Sequence, residues 1–184
     1  MHKDLTAHRR CRRLPHACGD RRRAVRQRFT SQVVEGHHAP VSEAAITDSI
    51  VVEAPIDIVW SVITEPAAVP ILDPRLTLVS VTGTAGTVGS GYVLRMSRGS
   101  QVLDMAYAVV EATPKSSLAM TVRMGRREPS QQSAALATHP RGVVLTWTTR
   151  TPVPWGLAGL GRRMMRREMG EWLNAIAAEA ERRA

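Results

Sequence analysis

From Ile46 onward, apolar and polar residues alternate through ITDSIVVEA with many β-branched side chains, which predicts a strand over about Ile46–Glu53. Ala54-Pro55 breaks the alternation, and Pro55 suits a first helical turn, where its missing N–H would have no partner anyway. The period then changes. PIDIVWSVITE carries apolar residues at 56, 59, 60, 62 and 63, the spacing of a short helix that turns Ile56, Val59, Trp60 and Ile63 inward. Pro66, Pro70 and Pro74 confine the next stretch to a turn or a single helical turn.

Six strand-like segments follow, at 76–82, 92–98, 102–112, 117–124, 130–139 and 142–150, separated by polar turns too short to hold a helix. Such connections imply antiparallel hairpins. The last pattern, about Gly156–Arg182, is a long helix whose apolar stripe runs through Leu157, Leu160, Met164, Met165, Met169, Trp172, Leu173, Ile176 and Ala180. Arg162, Arg163, Arg166 and Arg167 lie chiefly on its other side. Together these elements predict one α+β domain over residues 45–184, a curved antiparallel sheet of about seven strands wrapped around the long C-terminal helix.

Strand parity sorts the sheet's side chains into two faces. The apolar parity holds Tyr92, Leu94 and Met96 in one strand and Leu103, Met105 and Tyr107 in the next. It continues with Leu118, Met120 and Val122, then Leu145 and Trp147. Arg95, Asp104 and Arg123 fall on the opposite face. The inward face is therefore apolar and rich in methionine, an unbranched, polarisable side chain suited to a surface that adapts to a ligand. With Trp60 and Ile71 from the helical excursion, and Met165, Met169 and Trp172 from the long helix, these residues are the expected ligand-binding set. Packing of the long helix alone would call for many of the same residues.

Charge changes the picture less than the formal total of +9 suggests. Residues 1–40 hold ten basic against three acidic side chains, and the remaining 144 hold fifteen against thirteen. The basicity belongs to the N-terminal segment. Residues 1–44 read as a disordered Arg-rich extension, since so charged a stretch cannot bury enough apolar surface to offset its ordering entropy. A mis-set start codon in GC-rich coding would produce the same sequence, with Val33, Val34 and Val41 as alternative starts. Both cysteines, Cys11 and Cys18, lie there with His16, short of a fourth ligand at zinc spacing, so no metal is expected. There is no apolar run of secretory or membrane-spanning length, which makes the cytoplasm the expected compartment.

GTAGTVGSG (83–91) has the glycine density of a phosphate loop, but a strand follows it where a phosphate loop needs a helix N-terminus. Gly83, Gly86, Gly89 and Gly91 are read instead as turn glycines permitting positive φ, and no cofactor is called for.

VVEAPIDIVWSVITEP, with its strand ending in Ala-Pro and its helix leaving through Thr-Glu-Pro, resembles the opening of the START-like helix-grip superfamily. The nearest resemblance is to the bacterial SRPBCC group of polyketide cyclase/dehydrase and lipid-transport proteins. ILDPRL, VGSGY, YAVVEATP and LTWTT extend it over about residues 45–182. Many relatives carry an aromatic residue where this chain has Ile71. The resemblance implies an apolar cavity between sheet and C-terminal helix, and carriers, cyclases, dehydrases, regulators and toxins share the fold. It carries no common catalytic motif.

The expected function is binding of a hydrophobic, lipid- or polyketide-like molecule, by a monomer or a homodimer. A cyclase or dehydrase is the alternative, and its candidate catalytic groups are Tyr92, Tyr107 and Glu111, the titratable residues on inward parity. His139 falls in the HPRG turn and reads as a solvated loop residue. A third reading has nucleic acid held by the N-terminal segment, or an anionic membrane surface met by Arg162, Arg163, Arg166 and Arg167 beside Trp155. Arginines on a helix are more often a solvated face.

Overall fold

The computed structural model describes residues 41–99, 101–154 and 158–184. The expectations for residues 1–40, including Cys11, His16 and Cys18, and for Trp155 fall outside these residues. The chain runs β1 (Val41–Val52), α1 (Ile56–Thr64), a 3-10 turn (Pro66–Ala68) and α2 (Val69–Leu72), then β2 (Leu76–Thr82), β3 (Gly91–Arg98) and β4 (Gln101–Thr113). It continues through β5 (Ser117–Met124), β6 (Ser130–His139) and β7 (Gly142–Pro154) into α3 (Ala158–Arg183). All seven strands form one antiparallel sheet in the order β1-β7-β6-β5-β4-β3-β2. This is the expected α+β helix-grip.

The topology follows from connection length. β2 to β7 form a meander joined by short helix-free connections, and β1 pairs with the far end of it, along β7. The helical excursion from Ile56 to Leu72 must therefore carry the chain from one sheet edge to the other. β1 begins at Val41 rather than near Ile46, because residues 41–45 pair with 150–154 of β7.

Burial changes along α3. Leu173, Ile176, Ala177 and Ala180 are buried in a core shared with Val52, Val59, Val62, Leu118 and Leu145. Each large side chain removed from water here contributes about 2 kcal/mol. A second cluster (Val69, Leu76, Leu94, Met105 and Val122) lies under the β2–β5 end of the sheet. Tyr92, Tyr107 and Trp172 touch both clusters, so they stand at the seam. Of the inward set expected for α1, Val59 and Ile63 are buried, while Ile56 and Trp60 pack half-buried against the core.

The last turn of α3 is clamped electrostatically. The Glu179 carboxylate accepts hydrogen bonds from Arg182 (2.8 Å) and Arg183 (2.7 Å), and Arg183 also reaches Glu65 just after α1 at 2.8 Å. These bonds hold the Glu179 carboxyl down at about 2 against an ordinary 4.5.

Gly83, Gly86 and Gly89 do adopt positive φ, but Gly91 does not. Its constraint is spatial. A Cβ on Gly91 would stand 2.5 Å from the Tyr107 carbonyl oxygen, so the bare Cα permits close approach of β3 and β4. Gly89 and Ser90 exchange backbone hydrogen bonds with Val109, which ties the loop to β4.

Candidate functional site

Between the concave face of the sheet and the N-terminal half of α3 lies a pocket of about 590 Å³. β3 lines it with Tyr92, Leu94 and Met96, β4 with Met105 and Tyr107, and β5 with Met120. β6 supplies Gln132, and β7 supplies Trp147 and Thr149. Met164, Met165, Glu168, Met169 and Trp172 roof it from α3. Helical spacing explains the roof, since 164, 168 and 172 succeed one another at four-residue intervals on one face. Arg75, Ser97, Met164 and Glu168 are exposed as well as lining, and so mark the rim.

The aromatic floor is set by register. Tyr92 and Tyr107 oppose each other directly on β3 and β4, and their rings stack with centroids 4.6 Å apart and planes within 9°. Trp147 and Trp172 meet edge to face at 6.3 Å across the sheet–helix gap. The Tyr92 hydroxyl donates to the Met120 sulfur at 3.8 Å. Burial raises both phenols, Tyr107 to about 12 with the charge of Asp73 adding to the effect, and Tyr92 with Tyr107 adding to it. Both therefore stand as neutral O–H groups at physiological pH.

The rim carries the charge. Asp73-Pro74-Arg75 forms a tight turn in which the Arg75 N–H and guanidinium both donate to the Asp73 carboxylate. Those bonds, with the side-chain pair dominant, outweigh burial and lower the Asp73 carboxyl below its usual range.

Of the residues expected to bind ligand, Tyr92, Leu94, Met96, Met105, Tyr107 and Met120 from β3–β5 line the pocket, with Trp147, Met165, Met169 and Trp172. Leu118, Val122 and Leu145 are buried on the inward face but packed in the cores, not on the pocket wall. Trp60 packs half-buried against the core. Ile71 and Leu103 differ from expectation, at 57% and 38% exposed. Ile71 lies in the single helical turn α2, and Leu103 lies opposite Met96 near the turn of the β3–β4 hairpin.

Glu111 is also exposed, against its sequence parity. Pairing between β4 and β5 slips after Val109↔Met120, so that Glu111 opposes Ala119 and Ala112 opposes Leu118. The extra residue, Val110, is a β-bulge that turns Ala112 inward and Glu111 out. Tyr92 and Tyr107 thus share the pocket without Glu111. The His139 imidazole accepts the Arg141 N–H at 3.2 Å, inside its own turn. Arg162, Arg163, Arg166 and Arg167 are exposed, with Arg167 paired to Glu171 at 2.9 Å. None of residues 83–90 lines the pocket.

Parity reasoning missed the polar lining. Gln132 shares its face with buried Ala134 and Leu136, a weak alternation that could have found it. Asp73 and Arg75 had a stronger signal, because an Asx residue before proline favours a turn closed by its own carboxylate. Among the described residues no helix is long and apolar enough to cross a membrane.

A family model described as polyketide cyclase / dehydrase and lipid transport matches residues 43–181. No curated protein matches the chain by sequence. Among solved structures, SA2116 of Staphylococcus aureus, titled a protein of unknown function, superimposes with a TM-score of 0.67 at 10% identity, covering 78% of this chain and 97% of that one. Mll3558 of Rhizobium loti gives 0.62 at 21% identity over 76% and 99%. CV1439 of Chromobacterium violaceum gives 0.62 at 17% over 75% and 97%. At these identities the likeness is one of fold.

Proposed function

The chain belongs to the polyketide cyclase/dehydrase and lipid-transport family, and from that premise we propose that it binds a hydrophobic small molecule, lipid- or polyketide-like, between the sheet and α3. The observation that carries the reading is the pocket of about 590 Å³, most of whose lining residues are apolar, with six methionines and four aromatic rings among them. Its volume lies within the range of small-molecule sites, roughly 300–1,000 Å³. Methionines on strands and helix re-pack around differing shapes, while the stacked tyrosines and the Trp147–Trp172 pair offer flat, rigid faces. The neutral phenols supply hydrogen-bond donors that fix orientation without charge. Native mass spectrometry of the chain isolated from its own host is expected to detect a copurifying apolar mass that denaturation releases. A chain that carries no such mass, and whose tryptophan emission no apolar probe alters, overturns the reading.

The convergence of Tyr92 and Tyr107 on one pocket favours a second reading, a cyclase or dehydrase in which a phenol donates to a substrate carbonyl while the walls hold the chain folded for reaction. Once a ligand is known, Tyr92→Phe and Tyr107→Phe separate the two. Lost turnover with binding retained identifies an enzyme, and absence of turnover in the unaltered chain identifies a carrier.

A further inference from the structure

We propose that the pocket selects uncharged or amine-bearing apolar molecules and rejects carboxylates and other anions, because Asp73 already occupies the one guanidinium that lines it among the described residues. The inference rests on the ligand-binding reading above and names the chemical class that the site takes.

A carboxylate drawn from water into such a pocket is stabilised chiefly by a cation that it can pair with. The lining here has one candidate, Arg75, and the Nε–Nη2 edge of its guanidinium, an edge that would clasp a carboxylate in two prongs, is held by its own turn. Nε lies 2.9 Å from Asp73 Oδ1 and Nη2 lies 2.8 Å from Oδ2, a two-pronged pair. The Arg75 backbone N–H adds a third bond to Oδ1 at 3.0 Å. Pro74 between them holds φ near −65°, so the turn is closed before any ligand arrives. The remaining charged group of the lining is Glu168, a second carboxylate. Glu171 is also close enough to act on Arg75, and it pairs with Arg167 on the outer face of α3. The rim thus presents two carboxylates against one committed cation.

An entering anion would lose water and meet negative charge. Tyr107, whose protonated state is reinforced by Asp73, can donate to a carbonyl oxygen, while the same carboxylate disfavours negative charge beside it. A ligand ketone, ester or amide meets no such penalty, and an amine gains Asp73 and Glu168 as acceptors. Arg162, Arg163 and Arg166 are exposed on α3 but do not line the pocket, so they offer a bound anion no direct hydrogen bond there, and salt weakens their field in the solvent around them.

Two dyes built on one anilinonaphthalene frame isolate the charge. N-phenyl-1-naphthylamine is neutral, and 8-anilino-1-naphthalenesulfonate carries an anion. Titrated into the full chain near neutral pH and at physiological salt, with energy transfer from the pocket tryptophans as readout, the neutral dye is expected to bind at least about tenfold tighter. Asp73→Asn frees Arg75 and is expected to narrow the ratio of the two dissociation constants to about threefold or less. Glu168→Gln, at an exposed helix position that does not endanger folding, narrows it in the same direction. A sulfonate dye that binds as tightly as the neutral one to the unaltered chain overturns this inference and leaves the ligand-binding reading standing. So does a ratio that neither substitution moves. Failure of both dyes to bind overturns the two together.

Discussion

Ile176→Ala is expected to lower the free energy of unfolding by about 3 kcal/mol, whereas Met165→Ala should cost less than about 1 kcal/mol. Both lie on the inward stripe of α3, eleven positions apart, and composition alone would rank them alike. The difference comes from what surrounds them. Ile176 is fully buried among Val52, Leu145 and their neighbours, so truncation leaves a sealed void whose lining loses contacts on one side. Met165 is half-buried and already borders the open pocket, so truncation enlarges an existing space and creates no new cavity. Urea unfolding of the two variants reads the contrast directly, provided the slopes match the parent. Equal losses would mean that the N-terminal half of α3 is packed as core, and the pocket reading would fall with that result.

Glu179→Gln is expected to cost about 1–2 kcal/mol at neutral pH. The carboxylate is 5% exposed and receives guanidinium hydrogen bonds from both Arg182 and Arg183, one of which also ties α3 to Glu65. Arg182 remains two-thirds exposed, which keeps the cost below that of a fully buried pair. The pH dependence has a definite sign. A carboxyl lowered from 4.5 to about 2 in the folded state contributes stability that is complete above about pH 4.5 and disappears as pH falls toward 2. Melting temperatures of parent and Gln variant should therefore differ most near neutrality and converge in acid. A constant gap from pH 7 to pH 2 would show that the carboxylate does not anchor the helix end.

What could be read in the chain beforehand divides along a physical line. Helix and strand periodicity is local, so β5, β6, α1 and the body of α3 are legible residue by residue in the hydrophobic pattern. β3 and β4 run close to one parity from Tyr92 to Val109, which is why the stacked tyrosines and the methionine face were recognisable as one surface. Parity ceased to inform at Val110, because a bulge is a relation between two strands, and neither strand's sequence alone records that its partner is one residue shorter. Ile71 and Leu103 illustrate a related limit. Periodicity ranks faces, but it does not say how much of each face is covered.

The sequence by itself determined the class of fold, the antiparallel pairing of β2 to β7 and an apolar, methionine-rich face, since these follow from alternation and short connections, while the place of β1 beside β7 came from the structure. Only the tertiary structure decided which of those apolar residues are core and which line a pocket, because that depends on how much volume α3 fills over each strand. It also decided that Arg75 is held by Asp73 and that Glu111 faces water. Both are outcomes of geometry across a turn and across a strand pair, which composition and spacing do not carry.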